Sequence, residues 1–136
     1  MLRRTVLLCL ISSALAACST PGTKADLLDT TLQTYGATIR WGNFEDALGF
    51  VDPETLKAHP VTNLDLERYH QVRVGGYTEQ PVHEIAPNEV RQVVEITVTN
   101  NNTLATRSFI DRQTWRYDEK TKHWWLMTGL PDITQH

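Results

Sequence analysis

Five histidines, two cysteines and scattered carboxylates are the residues of this 136-residue chain whose types could do chemistry. His59, His70, His83, His123 and His136 form no HxH, HxxH or HExxH pair. A zinc site draws three or four ligands, often with Cys among them, so no metal and no cofactor are expected. Gly75-Gly76 stands without the rest of a phosphate-cradling loop. No order of Ser, His and Asp proposes a nucleophilic triad. Asp111 and Arg112 are adjacent in a strand-like stretch, so their side chains point to opposite faces and do not line one cavity together. Asn101-Asn102-Thr103 has the form of a glycosylation acceptor, but a run of three Asn reads better as a turn, because Asn tolerates positive φ. Two features remain. One is Cys18, inside "LAACST" at Leu15–Thr20; the other is the aromatic cluster Trp115, Tyr117, Trp124 and Trp125.

The context of Cys18 has three zones. Arg3 and Arg4 give a positive start, Thr5–Ala17 is a charge-free apolar or small-residue run, and Ala16-Ala17 precedes the cysteine. That is the layout of a secretory leader. As a helix the run would reach only about 20 Å, short of a hydrocarbon core of about 30 Å, so a stable transmembrane helix is the poorer reading. Leu15-Ala16-Ala17-Cys18 resembles the lipobox of bacterial lipoproteins. That resemblance implies a signal peptide over residues 1–17, cleavage before Cys18, and a diacylglycerol on its sulfur, with further acylation of the new amine in many Gram-negative species. One acyl chain holds a protein only marginally, whereas two or three anchor it stably. Ser19 stands where Asp would retain an enteric lipoprotein in the inner membrane, so the resemblance implies the outer membrane, facing the periplasm. Cys9 goes with the leader, and no disulfide is expected within the domain.

The formal charge is −3 and is spread unevenly. Residues 26–67 carry eight acids against Arg40 and Lys57, whereas residues 107–136 carry Arg107, Arg112, Arg116, Lys120 and Lys122 against four acids. No basic stripe exists, which argues against a nucleic-acid partner. Residues 18–24, with Pro21 and Gly22, read as a tether. Seven residues span at most about 25 Å, so the single domain over residues 25–136 rides close to its membrane.

Within that domain the pattern is first helical. Leu28, Leu32, Tyr35 and Ile39 form one helix face over residues 25–41. Gly42 ends that helix and Asn43 caps a second, with Phe44, Ala47, Leu48 and Val51 on one side. Asp52-Pro53 opens a third short turn. After Asn63 the period becomes two. Residues 69–77 read as a strand with a bulge at Gly75-Gly76. In residues 89–99, Val90, Val94, Ile96 and Val98 face one way while Arg91, Glu95, Thr97 and Thr99 face the other. A turn at residues 100–102 leads to a return strand over residues 103–117, a second turn at residues 118–122, and a last strand in "HWWLMTG". Helices followed by a long-stranded antiparallel meander are an α+β arrangement.

This order, with "RWGNFEDALGFVDPE" as paired helices and "DRQTWRYDEKTKHWWLMTG" as a closing hairpin, resembles the nuclear transport factor 2-like, or cystatin-like, superfamily. The resemblance covers residues 25–130. It implies N-terminal helices packed on a curved antiparallel sheet that forms a cone. Some members work inside the cone: isomerases with a Tyr and carboxylic acids, epoxide hydrolases with an Asp-Arg-Asp group. Tyr35 and Tyr69 are placed to line such a space, yet no acid is spaced to share their face, and Asp111-Arg112 splits across the sheet. Fold alone does not warrant catalysis.

The aromatic cluster carries the other expectation. Phe109, Trp115 and Tyr117 share one side of their strand; Arg112, Thr114 and Arg116 share the other. Trp124 and Trp125 point opposite ways. Trp and Arg are favoured at interface centres, so Arg112, Arg116, Trp124 and Trp125 form the expected partner-binding set, with Arg112, Arg116 and whichever tryptophan lies beside them at the surface. Two functions follow. One is a lipid-anchored, non-catalytic binding or assembly module with an envelope protein partner, a secretion or conjugation accessory being a special case. The other is a binder or enzyme for a small apolar molecule inside the cone. An open apolar cavity would favour the second; a cone plugged by Trp and Phe would favour the first.

Overall fold

The computed structural model describes residues 22–135. The leader at residues 1–17, Cys18, the start of the tether and His136 lie outside the described residues. The elements run α1 (Lys24–Trp41), a 3-10 helix (Phe44–Phe50), α2 (Pro53–Ala58), α3 (Asn63–His70), then β1 (Val72–Glu79), β2 (His83–Ala86), β3 (Glu89–Asn100), β4 (Thr106–Asp118) and β5 (His123–Leu126). No helix among the described residues is long and apolar enough to cross a membrane.

Local chemistry sets the helix ends. Thr23 caps α1: its hydroxyl accepts from the Asp26 N–H at 3.1 Å, and the Asp26 carboxylate accepts from the Thr23 N–H at 2.9 Å. This reciprocal box satisfies two otherwise orphaned donors. Leu32, Tyr35 and Ile39 are buried along the expected face of α1, and so is Gly36. A Cβ at Gly36 would stand 2.9 Å from the Tyr77 ring, so glycine is what lets α1 lie this close to β1. Asp52 caps α2 by accepting from the Thr55 N–H at 2.9 Å, and Pro53 occupies the first turn, where no N–H is missed.

Two parts of the chain differ from expectation. The second helix is 3-10 rather than α, and its end joins the sheet: Val51 bridges Leu126. Residues 63–70 form α3, where the period-two pattern begins later than expected, so β1 starts at Val72 and not at residue 69. The signal for α3 was its cap, since Thr62 and Asp65 make a second reciprocal box. Its core contact is a single aromatic. Tyr69 stacks on Phe44 at 4.4 Å and donates its hydroxyl to the Pro131 carbonyl at 2.9 Å.

The sheet is antiparallel, in the order β1-β3-β4-β5, with β2 beside β1 on the same edge of β3. β3 and β4 pair without a break from Glu89↔Arg116 to Thr99↔Thr106. The register of β1 shifts between Val74 and Gly76, the expected bulge, and a bulge bends its strand. The β2–β3 turn puts Asn88 in the left-handed conformation, at φ 65°, whereas in the β3–β4 hairpin Leu104, rather than an Asn, takes it, at φ 61°. The Asn100 side chain accepts from the Asn102 and Thr103 N–H groups instead. The helices cover the concave face of the sheet, and the core lies between. Tyr35, Ile39, Val51, Val94, Ile96, Val98, Trp115 and Leu126 are fully buried there.

Candidate functional site

The two faces of β4 separate the chemistry. Phe109, Asp111, Gln113, Trp115 and Tyr117 are buried, whereas Arg112 and Arg116 are exposed. Directly opposed residues in an antiparallel pair share a face. Arg116 opposes Glu89 on one side and Trp125 on the other, so these three stand in a row on the convex face. Arg112 opposes Val93, further along that face. Trp125 is half-buried. Together with Arg116, Met127, Asp52 and Lys120 it lines a groove of about 470 Å³.

The pairing is not the one expected for a cation over an indole ring. Arg116 leans toward Glu89, with 3.6 Å between nitrogen and carboxylate oxygen. Trp125 instead packs on His123, with ring centroids 4.1 Å apart. Trp124 departs from the expected surface set altogether. It opposes Tyr117 on the concave side, is 2 % exposed, and donates its indole N–H to the Lys24 carbonyl at 3.1 Å. Strand alternation forces this: once Trp125 lies beside Arg116, Trp124 must point into the core. Its bond ties β5 to the first turn of α1.

The concave face holds a polar cluster that the expected spacing of acids and tyrosines missed. Asp111 does share the face of the tyrosines, contrary to expectation. Gln113 links the group: its amide donates to the Asp111 carboxylate at 2.8 Å and to the Tyr77 hydroxyl at 3.1 Å. Its carbonyl accepts from the Trp115 indole N–H at 3.1 Å. The Tyr35 hydroxyl is buried without a hydrogen-bond partner. Burial pushes the Asp111 carboxyl up to about 6, opposed by the bond from Gln113. Burial, and secondarily the charge of Asp111, raises the Tyr35 hydroxyl well above its ordinary value. The signal was present in the sequence. Asp111 and Gln113 occupy the odd positions of β4 that otherwise carry Phe109, Trp115 and Tyr117.

A Tyr and a carboxylic acid of raised pKa are the parts of a general acid–base pair, but proton transfer needs a substrate within hydrogen-bond reach. Side chains fill this space. Trp115 packs edge-on against Tyr35 at 5.1 Å, and Tyr35 packs edge-on against Phe50 at 5.4 Å. The cluster is a hydrogen-bonded network of the core. Among the described residues, no group of three or more His, Cys, Asp or Glu is placed to hold a metal ion.

Neither family models nor curated proteins match the chain. Among solved structures it is similar to that of the VirB8 protein of Agrobacterium tumefaciens, with a TM-score of 0.53 over 85 % of this chain and 99 % of that one. The chain has the nuclear transport factor 2-like fold. At 8 % identity the likeness concerns the fold alone, and it agrees with the order of helices and curved sheet expected from the sequence.

Proposed function

We propose that the protein is a lipid-anchored, non-catalytic binding or assembly module of the bacterial envelope. Cys18 carries the lipid, the residues from it to the Thr23 cap of α1 hold the domain near the outer membrane facing the periplasm, and the convex sheet face docks a protein partner through Arg112, Arg116 and Trp125. The observation that carries this reading is the filled cone: Tyr35, Ile96, Trp115 and Leu126 are fully buried where a ligand would sit. With the interior occupied by side chains, recognition falls to the outside. There Arg116 beside a half-buried tryptophan, with Arg112 further along the same face, has the composition favoured at interface centres. The fold shared with the VirB8 protein is compatible with this role.

Two experiments test the two halves of the reading. Arg112→Glu with Arg116→Glu is expected to lower stability by no more than about 1–2 kcal/mol and leave the domain folded: both sites are on the surface, and the cost comes from setting a like charge opposite Glu89. The one ion pair affected joins the exposed Arg116 to a half-buried Glu89 at 3.6 Å, a long, partly solvated contact worth about 0–1 kcal/mol. The same double variant is expected to lose the envelope protein that co-purifies with the parent. A folded double variant that keeps its partner refutes the sheet-face site. Cys18→Ala is expected to abolish labelling by a palmitate analogue, while the parent's label is recovered in the outer-membrane fraction. Equal labelling of parent and variant refutes the anchor.

A further inference from the structure

A second surface lies at the other end of α1 from the tether, and it does not depend on the sheet-face reading. Helix α1 ends in Arg40 and Trp41. Trp41 is 76 % exposed, the most exposed of the large apolar side chains among the described residues. The Arg40 guanidinium lies over its ring, 4.7 Å from the centroid. Between this helix end and β1 is a cleft of about 340 Å³, lined by Arg40, Trp41, Glu45, His70, Val72, Arg73 and Val74 among others.

One wall of the cleft is the outer edge of β1. In the sheet order β1 is terminal, with β3 on one side only. The Asn101 N–H donates to the Gln71 carbonyl at 2.8 Å, and Arg73 opposes Thr99 in the same ladder. Bonded pairs alternate along an antiparallel ladder. The N–H and C=O groups of Gln71 and Arg73 therefore turn to β3, and those of Val72 and Val74 turn away from it, along the cleft. Beyond them the Gly75-Gly76 bulge breaks the edge, and Tyr77 packs under Gly36. An unpaired edge is a template for another strand.

The charge of the cleft is opposite to that of the chain. Arg40 and Arg73 line it together with His70, and the one carboxylate among its lining residues, Glu45, is 2.6 Å from the His70 imidazole. The whole chain is formally −3. A second copy of the chain pairing edge to edge would set Arg73 and Arg40 against their own counterparts, and like charges brought together disfavour that association.

We propose that this cleft receives an extended acidic segment of a partner polypeptide, which adds as a strand to Val72–Val74, with its carboxylates on the convex side beside Arg73 and its alternate, apolar side chains on the concave side against Trp41, where Arg40 adds to the positive field. Main-chain hydrogen bonds supply affinity in this mode, and the flanking groups supply selectivity.

The test uses the full chain and two labelled, end-blocked hexapeptides, one alternating glutamate with valine and one alternating lysine with valine. Fluorescence anisotropy is expected to show the glutamate peptide binding with a dissociation constant below about 1 mM, and the lysine peptide not binding. Hydrogen exchange is expected to slow at the Val72 and Val74 amides when the glutamate peptide is added, with no change at Arg73. Val74→Pro removes one outward N–H without touching the β3 ladder, a position where an edge strand tolerates proline. It should abolish peptide binding, as should Arg40→Glu with Arg73→Glu, whose side chains are exposed and whose fold is checked by its melting temperature. The proposal is overturned if the glutamate peptide fails to bind, if both peptides bind alike, or if binding protects amides elsewhere. Self-association lost in Val74→Pro, with no peptide binding in the parent, would also overturn it by making a second copy the occupant.

Discussion

Trp115→Ala is expected to lower the melting temperature by more than 10 °C and to leave the domain close to unfolding. The indole is fully buried, packs edge-on against Tyr35 at 5.1 Å, and donates its N–H to Gln113 at 3.1 Å. Removing a buried Trp of this kind costs about 3–5 kcal/mol, against a total of about 5–15 kcal/mol for a domain. For a domain of this size each kcal/mol moves the melting temperature by roughly 4 °C. Trp115→Phe keeps most of the volume but orphans the Gln113 carbonyl, and is expected to cost about 1–3 kcal/mol. Thermal denaturation of the three proteins decides the matter. A loss below about 1 kcal/mol in Trp115→Ala, the value typical of single substitutions, would mean that Trp115 lines open space. The filled cone, and with it the non-catalytic reading, would then fall.

What could be read in the sequence, and what could not, divides along a physical line. The β3–β4 hairpin was legible because one face is buried and the other is wet, and a period of two records that directly. Val90, Val94, Ile96 and Val98 are buried on β3, and Arg91 and Glu95 are exposed. The same alternation told that Trp124 and Trp125 point opposite ways, but their own types could not say which faces in. That choice is made across strands, where Trp124 meets Tyr117 and Trp125 meets Arg116. Helix α3 left no such record. None of its residues is buried, and Leu64 is 60 % exposed. Its apolar face is little more than the Tyr69 ring, so only the Thr62–Asp65 box announced it. Strand β2 is four residues long and almost wholly exposed. The inward cluster was legible in part. Parity placed Asp111 and Gln113 with Phe109 and Trp115, but polar residues at core positions are read as surface unless the alternation is trusted over residue type. The cleft at Trp41 was not legible, because it arises from α1, α3 and β1 coming together at one end of the sheet.

Asp111 gives the second large expectation, a change in how stability depends on pH. Burial holds its carboxyl at about 6 in the folded protein, above the ordinary 3.8. Between those values the folded state keeps a proton that the unfolded chain has released. Stability is therefore greatest below the ordinary value, falls as pH rises through the window, and reaches its full penalty once pH exceeds about 6. A difference of about two units corresponds to about 3 kcal/mol. Asp26, Asp65, Asp118 and Asp132 act in the opposite sense. Hydrogen bonds, chiefly from their capping and turn partners, lower their pKa values, so any stability they add is lost as pH falls below the ordinary carboxylate range. The two effects occupy different windows and can be separated. Asp111→Asn keeps an oxygen to accept from Gln113 and removes the buried charge. At pH 8 the variant is expected to be more stable than the parent by about 2–3 kcal/mol, or roughly 10 °C in melting temperature. At pH 4 the two curves should meet. Urea denaturation at half-unit steps from pH 4 to pH 8 reads the difference directly. Parallel curves across that range would mean that Asp111 is solvated in the folded protein, and that the concave face is open to water where Trp115 and Tyr35 are taken to fill it.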